Sequence, residues 1–173
     1  MTTGSRGHTR SLRRRIVHHG LVSLPPAVDP AVSARMSNTR GRDTSPEMAV
    51  RRALHRMGLR YRVNYRPVPG VRRTADIVFT KQRIAILIDG CFWHGCPDHY
   101  RPATGGRSQF WAEKIEGNQR RDHESSEAFS SAGWLVLRFW EHEDPVTVAD
   151  HISSAVHEAA RRTTCPASGS PRT

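Results

Sequence analysis

The sequence contains no run approaching the roughly 18 consecutive apolar residues that a membrane-spanning helix needs, and its mean hydropathy is −0.61. A membrane-embedded role is therefore not expected. The Arg13-Arg14-Arg15 cluster is followed by Ile16-Val17-His18-His19-Gly20, too short and too polar for the apolar core of a secretory signal. Cysteine is scarce, three in 173 residues, and no internal repeat is present. Together these features point to a soluble, cytoplasmic chain whose few thiols are metal ligands or inert groups rather than a disulfide framework. Acidic residues are also short, 16 against 27 Lys and Arg for a net charge of +11. The excess is uneven, with +5 in residues 1–35, +6 in 36–70 and zero in 71–173. A basic block gains free energy against a polyanion by releasing condensed counterions, so nucleic acid is the first partner to consider; a solvated basic tail is the plainer account of residues 1–35.

What is present suffices for one domain with a core and not for two. Residues 1–27 and 163–173, rich in Arg, Ser, Gly, Thr and Pro without periodicity, read as tails, leaving a domain over 28–162. Thr44 followed by Glu47 has the spacing of a capping box. Ala49, Ala53, Leu54 and Met57 recur at helical spacing up to Gly58, which predicts a helix over 45–57. Tyr61, Val63 and Tyr65 alternate as a strand, and 75–80 and 84–89 are short β-branched runs. A long helix spans 108–132 and is closed by Gly133, and a fourth strand covers 134–140. A last helix opens at Asp144-Pro145. This α-β-β-β-α-β-α order predicts an α/β fold with a central mixed sheet, its second and third strands buried on both faces.

Charge in buried strands is costly and needs a reason. Asp76 lies in the second strand and Asp89 ends the third, so both carboxylates fall toward one edge of the sheet, where a cation between them would relieve their repulsion. Mg²⁺ with substrate phosphate is one account; carboxylates capping turn amides is the other. The segment Cys91-Phe92-Trp93-His94-Gly95-Cys96-Pro97-Asp98-His99 is the densest in chemistry. Cys91, Cys96 and His99, with His142 after the fourth strand, have spacings that can enclose a tetrahedral structural Zn²⁺, or else are free thiols beside surface histidines; Cys165 in the tail reads as a bystander. His94 is a further ligand, a core residue or a proton carrier. Phe92, Trp93, Phe110 and Trp111 are packed inward or, in a basic protein, wedge between bases. Asp122 by itself reads as a solvated charge on a helix face.

Six ordered blocks carry a resemblance. They are Arg42-Asp43-Thr44 with Glu47, Pro69-Gly70 ahead of Ala75-Asp76-Ile77-Val78, Gly90-Cys91-Phe92-Trp93-His94, Phe110-Trp111 with Lys114-Ile115, Asn118 with Asp122, and Gly133-Trp134 with Trp140-Glu141. Together, over about residues 30–143, they resemble the very short patch repair (Vsr) endonucleases. The resemblance implies a restriction-endonuclease-like core of the PD-(D/E)XK type. It also implies Mg²⁺-dependent nicking of double-stranded DNA on the 5′ side of the thymine in a T·G mismatch arising from 5-methylcytosine deamination. In that frame Asp76 bridges two Mg²⁺ ions and the Ile88 carbonyl is a further ligand. His94 activates water, Asp122 holds a metal-bound water and Glu47 is a supporting acid. Phe92, Trp93 and Trp111 enter the base stack and Met36 wedges from the other groove. Arg51 and Arg52, among the basic residues of 36–66, belong to the DNA contact. The implied setting is a monomer associated with the nucleoid and with other DNA repair proteins.

The chain departs from the family pattern in two places. Asp89 stands where a second catalytic histidine is usual, and so either binds metal or changes the proton traffic. In the zinc set Cys91 matches, Cys96 and His142 exchange histidine and cysteine with the pattern, and His99 is offset by one, which leaves Asp98 as an alternative ligand. Two other readings remain: a restriction-like or phage nuclease of the same fold with another target, and a zinc-stabilised DNA-binding module without catalysis.

Overall fold

The computed structural model describes residues 42–164. Over that span the order is α1 (Ser45–Arg56), β1 (Arg62–Tyr65), β2 (Ala75–Phe79), β3 (Ile84–Asp89), α2 (Ser108–Ser131), β4 (Leu135–Trp140) and α3 (Pro145–Thr164). The tails expected at the two ends and the wedge residue Met36 lie outside the described residues, except that α3 carries the chain to Thr164 across the expected 162/163 boundary.

The strands form one sheet in the order β1-β2-β3-β4. β1 pairs antiparallel with β2 across the loop 66–74, β2 pairs antiparallel with β3 across the short turn 80–83, and β3 pairs parallel with β4, so the sheet is mixed as expected. One face carries Ile77, Phe79, Ile84 and Ile86 against Val50, Ala53 and Leu54 of α1 and Val148, Ile152 and Val156 of α3. The other face carries Val78 and Ala85 against Phe129 of α2. β2 and β3 are therefore covered on both sides, which is why they read as apolar runs instead of alternating patterns. Phe129 is completely buried, and its truncation to alanine would cost about 3–5 kcal/mol.

Local signals behave as their chemistry dictates at the helix ends. Gly133, with φ +78°, follows the α2 cap, and Trp134 N–H reaches back to the Phe129 carbonyl at 3.0 Å, closing the helix as a glycine C′ residue allows. Asp144 accepts from Thr147 N–H at 2.9 Å and from its hydroxyl at 2.8 Å, ahead of Pro145 at the first position of α3. The capping box expected at α1 is only half formed. Thr44 Oγ1 lies a long 3.4 Å from Glu47 N, and the Glu47 carboxylate turns away to Arg51 Nη1 at 2.9 Å. A buried carboxylate gains more from a cation than from one backbone amide, and that preference decides the rotamer.

Candidate active site and metal centre

Parallel pairing brings the carboxyl ends of β3 and β4 to the same edge of the sheet, where Asp89 sits opposite Trp140 and Glu141 N–H donates to the Asp89 carbonyl at 2.9 Å. The crevice outside such strand ends is where open α/β sheets bind ligands. The loop following β3 and the face of α2 close over it.

Asp76 enters this edge from β2. Its Oδ2 accepts from Ile88 N–H at 2.7 Å, which ties together the two residues expected to hold Mg²⁺. Burial raises the Asp76 carboxyl to about 6, beyond the opposing pull of the Ile88 hydrogen bond, and the charges of Glu47 and Asp89 push in the same direction as burial. A carboxylate so placed is short of positive charge, and the oxygen-only donor set suits a hard divalent cation. Glu47, 3% exposed, is held by Arg51, which also reaches Asp43 at 2.6 Å. Arg51 is thus engaged in fixing an acid beside the site. Of the two arginines expected at the DNA contact, Arg51 is half-buried in this bridge and Arg52 is exposed.

His94 lies on the loop after β3 and is gripped from α2. Its Nδ1 is 2.5 Å from Asp122 Oδ2 and 3.7 Å from Asp89 Oδ1. Asn118 donates to the Trp93 carbonyl at 2.7 Å and Gln119 to the His94 carbonyl at 3.2 Å, so one turn of α2 holds both the ring and the backbone of the loop. A carboxylate only accepts, so in this pair Nδ1 is the donor, and a ring held in that tautomer has its lone pair at Nε2, the arrangement a general base needs. Asp122 is therefore no solvated surface charge. Asp89 is 7% exposed, and Arg138 grips both its oxygens, Nε to Oδ2 at 2.7 Å and Nη2 to Oδ1 at 2.6 Å. Sequence reasoning passed over Arg138. The available signal was a cation set among the alternating large side chains of 134–140, on the face that packs against α2.

The second cluster lies beside the first. Ligand atoms of Cys91, Cys96, His99 and His142 all fall within 4.8 Å of one another. Cys91 Sγ is 3.1 Å from His142 Nδ1 and 3.9 Å from His99 Nδ1; Cys96 Sγ is 3.8 Å and 3.7 Å from the same atoms. Bonds of about 2.3 Å to sulfur and 2.0 Å to nitrogen put tetrahedral edges near 3.6 Å, so the set fits one Zn²⁺ at its centre. Burial, with Cys96 beside it, pushes the Cys91 thiol up to about 11, so a thiolate there requires a cation. Asp98 stays outside the four, with Oδ2 3.9 Å from His142 Nε2, the ring nitrogen turned away from the sulfurs. Glu141 accepts from Cys91 N–H at 2.7 Å and anchors the start of the loop. Gly95 adopts φ +66°, a conformation strained for any other residue, and a Cβ there would stand 2.6 Å from Gln119 Nε2 and displace the side chain that holds the His94 carbonyl.

Phe92, Trp93, Phe110 and Trp111 form a chain of edge-to-face contacts with centroids 5.3–6.1 Å apart. All four are half-buried. They pack on one another and keep part of each ring in solvent.

With this geometry in place, known proteins align with it. The family profile for "DNA mismatch endonuclease Vsr" matches residues 28–100. The "Type II nicking enzyme V.NaeI" of Lentzea aerocolonigenes is 41% identical over 141 residues, 80% of this chain and 84% of that protein. The "Type II nicking enzyme V.HpaIIP" of Haemophilus parainfluenzae is 35% identical over 73% of this chain and 90% of its own length. The "DNA mismatch endonuclease Vsr" of Escherichia coli (strain K12) is 38% identical over 58% and 62%. A carboxylate and imidazole site at the open edge of a mixed sheet, in a chain with such relatives, is that of a DNA endonuclease. The chain belongs to the Vsr family, which includes Vsr-like type II nicking enzymes.

Proposed function

We propose that this endonuclease nicks one strand of double-stranded DNA on the 5′ side of the thymine in a T·G mismatch. The observation that carries this reading is the His94–Asp122 pair beside the buried Asp76, on the loop and helix that also display Phe92, Trp93 and Trp111. The core is read as restriction-endonuclease-like and the domain as 28–162. Asp76 and the Ile88 carbonyl would hold Mg²⁺, which supplies Lewis-acid charge at the scissile phosphate. Nε2 of His94 takes a proton from the attacking water, Asp122 fixes the tautomer that allows this, and Glu47, locked by Arg51, adds negative charge beside Asp76. Asp89 contributes charge next to His94. Cys91, Cys96, His99 and His142 would hold one structural Zn²⁺, which joins the loop after β3 to the end of β4.

The half-buried aromatics are read as the groups that enter a weakened base step, with Met36 acting from the other groove. Unstacking costs least where pairing is already poor, so such groups give mismatch preference as well as affinity. Exposed basic residues, Arg52 among them, supply attraction that is independent of sequence. Several relatives are named as nicking enzymes, which favours a second reading in which the same chemistry serves a target other than a mismatch. Nicking of T·G and T·A duplexes of identical sequence in Mg²⁺ separates the two. Preference for T·G is expected, and equal rates would overturn the mismatch assignment.

A further inference from the structure

Three groups in the described residues form a second cluster able to surround a cation: Asp89, His94 and Asp122. It differs from the Cys/His cluster in one respect, because a positive charge already sits there. Arg138 donates Nε and Nη2 to the two oxygens of Asp89, its Nη2 lies 3.5 Å from Asp122 Oδ2, and its Nη1 donates to the Asp122 carbonyl at 3.2 Å and to Ser126 Oγ at 3.1 Å. Every arm of the guanidinium is thus engaged. A fully engaged fork has a fixed position, which a strongly hydrated, flexible ammonium would lack. Arg138 stands on β4 and Asp89 on β3, parallel neighbours with Arg138 opposite Leu87, so the contact is diagonal across the sheet face covered by α2. Ser126 and Asp122 come from that helix. One side chain therefore ties β3, β4 and α2 together at the point where His94 is held.

We propose that Arg138 is a positioning residue that serves as the built-in cation of this cluster, so that Asp89 is a partner of the guanidinium and not a ligand of the catalytic metal. The proposal rests on the reading that Asp76 belongs to the Mg²⁺ site and deepens it by fixing the limit of that site. Both oxygens of Asp89 face the guanidinium at hydrogen-bonding distance, which uses a lone pair on each, fixes the orientation of the carboxylate and already balances its charge. Arg138 also acts on the reaction indirectly, by keeping Asp122 where it orients His94.

Binding of Mn²⁺ alone, followed by electron paramagnetic resonance on the zinc-loaded full chain without DNA, tests this apart from nicking. Asp89→Asn is expected to leave Mn²⁺ affinity within about twofold of the unaltered protein, whereas loss of a ligand or of its direct support costs about 10- to 100-fold. Arg138→Met, by freeing three groups, is expected to add a bound Mn²⁺ that the double variant Asp89→Asn/Arg138→Met lacks. Arg138→Lys is expected to add none, since the charge remains. In nicking, Arg138→Met should lower kcat by about 10- to 100-fold with KM nearly unchanged, and Arg138→Lys should recover only part of that. Weakening of Mn²⁺ binding by about tenfold or more in Asp89→Asn would overturn the proposal, as would a folded Arg138→Met protein that binds no additional ion. If Arg138→Met does not fold, Asp89→Asn alone decides. Asp76→Ala, measured beside them, tests the Mg²⁺ reading separately, because undiminished Mn²⁺ binding there overturns that reading and leaves the differences among the Asp89 and Arg138 variants to be judged on their own.

Discussion

Two polar clusters share one edge of the sheet and solve the same electrostatic problem in opposite ways. Cys91, Cys96, His99 and His142 offer soft donors and bring no cation of their own among the described residues. Asp89, His94 and Asp122 enclose Arg138. The first arrangement depends on what the solution supplies and the second is fixed when the chain folds. His94, between Cys91 and Cys96 in sequence, belongs to a loop governed by both. Packing density alone therefore does not identify a metal site; the sign of what already occupies its centre does.

The largest effect should come from the carboxylate that neither cluster contains. Asp76→Ala is expected to reduce nicking by at least about 10³-fold while DNA binding persists, since charge neutralisation at the phosphate is lost. Undiminished nicking by this protein would remove Asp76 from the active site. Next comes the cluster that depends on an ion. One tightly held zinc per chain should be found by metal analysis, and Cys96→Ser should lower stability by about 4 kcal/mol or more, a loss that Mg²⁺ does not restore. Equal melting temperatures with and without zinc would rule out a structural metal.

A third expectation concerns pH. Burial raises Asp76 to about 6 from the ordinary aspartate value of 3.8, so the folded chain holds that proton more tightly than the unfolded chain does. The stabilisation from this proton is complete below about pH 3.8 and is lost as pH rises through about 6. In metal-free protein at pH 8 the ionised group then costs about 3 kcal/mol. Asp76→Asn should be more stable than the unaltered protein by up to that amount at pH 8 and no more stable near pH 3.5, with Mg²⁺ narrowing the gap. Urea titrations across this range would show it, and a pH-independent difference would contradict it.

Smaller effects should separate recognition from attraction. Trp93→Ala is expected to reduce the T·G to T·A nicking ratio by about tenfold, in line with about 1–3 kcal/mol per stacked base. Full discrimination in a folded protein would make Trp93 a packing residue. Arg52→Ala should weaken both duplexes alike and flatten the salt dependence by about one unit of slope, whereas Arg51→Ala should act through Glu47 and reduce kcat. Identical behaviour of the two arginine variants would undo the distinction drawn from the Asp43–Arg51–Glu47 bridge.

The elements themselves were legible in the chain because each obeyed a local rule. The β-branched runs of β2 and β3, Gly133 past α2 and Asp144-Pro145 ahead of α3 all act within a few residues. Cys91, Cys96 and His99 were also found by spacing, because they lie within one short loop, and His142, 51 residues from Cys91, was added as a soft donor just past the fourth strand. Other long-range partnerships escaped. Glu47 looked like a capping residue and Arg51 like a surface cation until the fold joined them. Asp122 looked solvated until α2 lay across the loop that carries His94. Arg138 and Asp89 are 49 residues apart, and no periodicity links residues on strands joined by a crossover.

The parallel pairing of β3 with β4 has a consequence for how such a protein can vary. A chain leaving one end of the sheet must travel back to the other before β4 can begin, and α2, with 24 residues or about 36 Å, makes that return. The spacing between His94 and its helper on α2 is thus set by a rigid rod seated on the sheet. The stretch before the rod is under no such obligation. Gly105 and Gly106 are exposed, and a Cβ added at either would meet nothing within 4 Å. Residues inserted there would lengthen the loop while Phe92 and Trp93, which precede it, and Phe110 and Trp111, which stand on the rod, keep their places beside His94 and Asp122. The fold thus leaves variation in length to the stretch upstream of α2 and keeps the His94–Asp122 pair out of its range.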